Sequence, residues 1–146
     1  MADLRPADDE SIAGDELLYI RIFPSSDALI EVDGGFRPNT GSVTGRNKNE
    51  PVSVDLGSLC KPEQTRDRGT NGNFHVAMIT AASVRALGLR VIRNPILDGP
   101  LPNPAHALVI GSRVNPNDNN QAGGLTAGEY AKMARAARII INTPQD

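Results

Sequence analysis

Period-two spacing organises two apolar stretches of the chain, and both predict strands. Residues 17–23 read Leu-Leu-Tyr-Ile-Arg-Ile-Phe, ended by Pro24, Ser25 and Ser26. Period-two spacing puts Leu18, Ile20 and Ile22 on one face and Leu17, Tyr19, Arg21 and Phe23 on the other. In residues 52–56, Val52, Val54 and Leu56 point inward while Ser53 and Asp55 share the opposite face. Apolar runs at 74–79, 89–93 and 105–110 predict three further strands. A short strand at 28–32 is closed by Asp33-Gly34-Gly35.

Helix signals are fewer. Thr80 is a cap for a short helix over 81–87, stopped by Gly88. Thr126 and Glu129 have the spacing of a capping box, opening a helix that runs to about Ile140. Tyr130, Met133, Ala134, Ala137 and Ile141 fall on one face of it. The polar stretches 36–50, 61–73 and 112–124 read as loops. Residues 1–14 are acidic, broken by Pro6 and Gly14, and predict a disordered arm that folding does not need. Residues 15–142 then form one α+β domain. It is a small mixed or antiparallel sheet with one short helix and a C-terminal helix packed on it.

Composition narrows the function classes. Hydrophobic residues make up 39% and charged residues 22%, which is globular, but aromatics are only 3% and Trp is absent. The core is therefore aliphatic, and a stacking platform for single-stranded nucleic acid, which needs exposed rings, is not expected. No apolar run approaches the roughly 20 residues of a membrane span, and the acidic start lacks the apolar stretch of a signal peptide. The lone Cys60 cannot form an internal disulfide or a cysteine zinc cluster. A cytoplasmic chain without metal or cofactor is the expectation. The net charge of −2 hides an asymmetry: residues 1–16 set Arg5 against six carboxylates, while the body carries more bases than acids. A basic body suits an anionic ligand or partner, whether a nucleotide, a nucleic acid or a protein.

Named motifs for chemistry are missing. The Gly-rich places have neither the dinucleotide-binding nor the P-loop spacing, and no nucleophile elbow occurs. His75 and His106 stand far apart without metal-ligand spacing. What remains is a set of polar residues on strands. Arg21 interrupts an apolar strand, Ser53 and Asp55 line another, and His106 opens a third behind Pro102 and Pro104. A guanidinium fork matches phosphate or carboxylate. An Asp beside a His fixes its tautomer, and the His carries a proton near neutrality. Arg21, His106 and Asp55 are thus the candidate catalytic residues. Arg21, Arg37, Ser53, Arg66 and Arg68 are the candidate ligand-binding ones. Cys60 has no His near it in sequence and reads as a small core or loop residue.

The Arg on the first strand and the Ser-containing strand are similar to the start of ADP-ribosyltransferase-type toxins. The resemblance covers Tyr19 to Arg21 and Val52 to Asp55. It implies that Arg21 holds a NAD phosphate and that the strand of Ser53 supports a nicotinamide pocket. The family's Ser-x-Ser stands here as Ser53-Val54-Asp55, and no Glu-x-Glu follows. Two readings come out of the sequence. One is a small binding or accessory protein that recognises an anionic ligand or partner through basic polar loops. The other is a small enzyme acting on a nucleotide or phosphodiester through Arg21 and His106.

Overall fold

Six strands form one antiparallel sheet in the order β6-β7-β4-β1-β5-β8. They are β1 (Leu17–Ile22), β4 (Val52–Leu56), β5 (His75–Thr80), β6 (Arg90–Arg93), β7 (His106–Ile110) and β8 (Arg138–Ile141). This α+β architecture comes from a computed structural model that describes residues 5–44, 50–68, 72–113 and 123–145. The expected loop at 112–124 and the bases Arg46 and Lys48 lie largely or wholly outside them. No helix among them is long and apolar enough to cross a membrane.

The two faces of the sheet follow the predicted alternation. Leu18, Ile20 and Ile22 join Val52, Val54, Leu56, Ala77, Ile79, Ala107 and Val109 in one buried cluster. Val84 of α3 (Ala81–Ala86) covers it, as do Tyr130, Met133 and Ala134 of α4 (Ala127–Ala136). Both helices start as their caps require. Thr80 accepts from Ser83 N–H, and Thr126 accepts from Glu129 N–H while Glu129 reaches back to Thr126 N–H.

Four expectations are corrected. The stretch 36–50 is not a plain loop. It holds β3 (Gly35–Pro38), which pairs with β2 (Leu29–Val32) in a hairpin, and α1 (Thr40–Thr44). The hairpin turns on Asp33-Gly34, with Gly34 at φ 80°, a conformation that favours glycine. The stretch 61–73 holds α2 (Pro62–Asp67), where Pro62 fills the first turn and Gln64 accepts from Lys61 N–H. The C-terminal helix stops at Ala136, and residues 138–141 form the edge strand β8 against β5. Ala137 is already extended, and the run Ile139-Ile140-Ile141 suits a strand.

The acidic arm is the fourth. Residues 5–14 lie docked against β6 and α3 instead of hanging free. Ile12 is 1% exposed and joins the core cluster. Asp9 N–H donates to Val91 O at 2.8 Å, and the Asp8 carboxylate accepts from Val91 N–H at 2.9 Å. Asp8 also pairs with Arg85 at 3.2 Å. The outward backbone groups of an edge strand thereby find partners within the same chain.

Candidate functional site

The β1–β4 ladder joins only two residue pairs, Leu18 with Leu56 and Tyr19 with Asp55. Beyond them the strands part. Residues 20–22 keep their pairing with β5, and residues 52–54 keep theirs with β7, but the inner edges do not meet. The sheet is split there, and the split opens into a cleft of about 1020 Å³. Ile20, Arg21 and Phe23 line one lip, and Val52, Ser53 and Val54 line the other. Residues of α1 and α2 and of the segment 94–105 complete its walls.

Asp55 is the hub of those walls. It is 4% exposed. One carboxylate oxygen accepts from Thr65 Oγ1 of α2 at 2.7 Å, and the other accepts from Asn103 Nδ2 at 2.8 Å. Asn103 in turn exchanges two backbone hydrogen bonds with Ile96 and accepts from Ala105 N–H. A single carboxylate thus ties a helix and a long connection to the sheet, and both of its oxygens are engaged internally.

His106 sits across the ladder from Asp55 and also lines the cleft. Its Nδ1 lies 2.8 Å from Asn94 O. A carbonyl can only accept, so Nδ1 carries the proton and Nε2 is the basic nitrogen. The partner that sets the tautomer is therefore Asn94, not Asp55.

Arg21 is exposed and lines the cleft, and its guanidinium makes no hydrogen bond or ion pair among the described residues. Arg68 lines the cleft as well and donates to Pro102 O at 2.9 Å. The acids Asp27 and Glu50 border it too. The split thus brings together Arg21, Ser53, Asp55, Arg68 and His106. Two of the sequence candidates stand apart. Arg37, on β3, donates to Pro38 O, and Arg66 pairs with Asp67 at 2.9 Å; neither lines the cleft.

Sequence reasoning passed over the aromatic residues of this site. Phe23 and Phe74 both line the cleft, packed edge to face with ring centroids 5.6 Å apart. Period-two spacing puts Phe23 on the face of Arg21, but nothing in its local sequence marks a cleft. Asn103 and Thr65 were also missed, because nothing local marks a side chain that answers a distant carboxylate.

Cys60 is half-buried, and its thiol lies 3.5 Å from Leu56 O. Burial pushes its pKa up, which disfavours a thiolate nucleophile. Among the described residues no group of three or more His, Cys, Asp or Glu is placed to hold a metal ion. No protein-family model, curated protein or solved structure matches this chain.

Proposed function

We propose that the chain is a binding protein that takes an anionic ligand into the split between β1 and β4, with Arg21 as the anchor. The observation behind this reading is the guanidinium of Arg21, exposed on one lip of an open cleft and unpaired among the described residues. A planar fork of donors in that state suits a phosphate or carboxylate, and such charge-assisted hydrogen bonds are the strong ones. Arg68 adds a second positive charge to the lining, and Ser53 adds a hydroxyl.

A second reading, a small phosphodiester- or nucleotide-directed enzyme, has its own support in His106. A ring held at Nδ1 by a carbonyl presents Nε2 as a general base. Arg21 would hold the phosphate there. Asp55 drops out of the catalytic set, because both its oxygens are already committed.

Titration of the full chain with pyrophosphate and with single-stranded RNA, followed by thermal unfolding, tests the first reading. A ligand at a hundred times its Kd stabilises the folded chain by about 2.7 kcal/mol. That gain should disappear in Arg21→Ala. Identical melting of the two proteins with every anion would sink the proposal. Turnover of a chromogenic phosphodiester that vanishes in His106→Ala would favour the enzyme instead.

A further inference from the structure

The aromatic side chains of this protein are gathered in one place. The chain has three Phe, two Tyr and no Trp. Tyr19, Phe23, Phe74 and Tyr130 all line the cleft, and only Phe36, on the β2–β3 hairpin, does not. Tyr19 and Tyr130 are buried parts of the wall. Phe23 is different, with half its surface exposed. Two more exposed apolar side chains, Ile96 and Leu101, line the same cleft, so Phe23 is not an isolated exposed residue but one of a set around it.

Phe23 is also held firmly. The β1–β5 ladder ends at Ile22 and His75, and the next pair in that register is Phe23 with Phe74. Their edge-to-face contact fixes the orientation of both rings. Arg21 lies two positions before Phe23, which directly follows the end of β1, and at the rise of extended chain this sets their backbones about 7 Å apart. A flat apolar surface and an unpaired guanidinium therefore stand side by side on one lip.

Resting on the anionic-ligand reading above, we propose that the ligand is a free nucleoside phosphate. Its base lies against Phe23 and Phe74, and its phosphate lies on Arg21. Ring and phosphate within one nucleotide are separated by a single sugar, which matches the spacing of the two residues. Asp27, in the turn after Phe23, borders the same cleft and offers an acceptor for base N–H groups. A bare phosphate or a sugar phosphate leaves the Phe23 ring in water. A nucleoside leaves Arg21 unpaired.

Calorimetric titration of the full chain with AMP, ribose 5-phosphate, adenosine and pyrophosphate separates these contributions. Stacking of one base is worth about 1–3 kcal/mol, so AMP should bind about 5- to 150-fold tighter than ribose 5-phosphate. Phe23→Ala should erase that advantage and leave pyrophosphate binding unchanged, while Phe36→Ala should leave both unchanged. Arg21→Ala should weaken AMP and pyrophosphate together. Equal affinity for AMP and ribose 5-phosphate would overturn the base subsite while pyrophosphate binding kept the anion reading alive. Loss of all binding, pyrophosphate included, would remove both. Adenosine binding as tightly as AMP would overturn the pairing of the two subsites. A penta-adenylate binding more than tenfold tighter than AMP would overturn the free nucleotide in favour of a strand.

Discussion

Asp55 and His106 are direct partners across the β4–β7 ladder, yet their side chains turn to different neighbours. The Asp55 carboxylate is spent on Thr65 and Asn103, and the His106 ring is held by Asn94. Adjacent residues of suitable chemistry have thus been divided between structure and site. Asp55 builds the walls of the cleft, and His106 faces its interior.

Removal of the Asp55 carboxylate should therefore damage the fold before it damages any chemistry. Asp55→Ala leaves the Thr65 hydroxyl and the Asn103 amide without their acceptor, at about 1–3 kcal/mol for each buried donor left unpaired. Urea denaturation should show that loss. Hydrogen exchange should show faster opening in α2 and in residues 94–105, the two segments the carboxylate ties down. Wild-type stability and exchange in the variant would contradict this role.

His106 should behave in the opposite way. It is only partly buried and its side chain makes one hydrogen bond, so His106→Ala should cost about 1 kcal/mol of stability. Ligand binding per folded molecule should fall, measured with the same anions that test the cleft. A stability loss above about 2 kcal/mol with unchanged binding would return His106 to a purely structural role.

Faces were legible in this sequence, and pairings were not. Arg21 could be set apart from Ile20 and Ile22, and Ser53 and Asp55 from Val52 and Val54, because side chains alternate across a strand whatever its neighbour is. The split between β1 and β4 could not be read, since it depends on where two distant segments stop pairing. The Asp33-Gly34 turn carried a plain hairpin signal, but the polar residues after it obscured β3. Strand β8 was absorbed into the preceding helix because Ile141 continues the apolar face of α4 by spacing alone. Docking of residues 5–14 rests on one apolar anchor, Ile12, together with Arg85 and Arg93, which lie far along the chain; neither is visible in local composition.

Deletion of residues 1–14 should lower the melting temperature by several degrees. The segment supplies Ile12 to the core and partners for Val91 and Arg85. Ile12→Ala alone should cost about 2–5 kcal/mol, as for a fully buried branched side chain. Asp8→Ala should cost less, because its pair with Arg85 is partly solvated. An unchanged melting temperature after deletion would mean that the docked segment adds nothing to the fold.

Glu129 sets an acid limit on the α4 start. Partial burial pushes its pKa up, but hydrogen bonds from the N–H groups of Thr126 and Ser112 outweigh that and hold it below the ordinary 4.5. A carboxylate depressed in the folded state stabilises fully above the unfolded value. It loses that contribution as pH falls through the folded one. Stability should therefore decline below about pH 4.5, and Glu129→Gln should show a shallower decline across that range. Parallel curves for the two proteins would exclude the capping carboxylate as the cause.

A separate loss should begin nearer neutrality, at His75. This residue is 4% exposed, and its Nδ1 accepts from Thr143 N–H at 3.1 Å. Burial holds its pKa below the ordinary 6.5, and among the described residues no charge contributes to the shift. The unfolded chain then binds a proton that the folded chain refuses. Stability is complete above about pH 6.5 and is lost as pH falls towards the folded value. Protonation of Nδ1 also puts a hydrogen where Thr143 N–H donates, so that bond must break. Thr143 Oγ1 donates to Phe74 O and Gln145 donates to Asn73 O, so the C-terminal segment braces the same Phe74 that lines the cleft. Acidification should free the Thr143 amide to exchange and weaken binding at the Phe23 end of the cleft. His75→Asn should remove the pH dependence that begins below about pH 6.5 while leaving the Glu129 decline below about pH 4.5. If the variant and the natural chain lose stability equally across that upper range, the titrating group lies elsewhere.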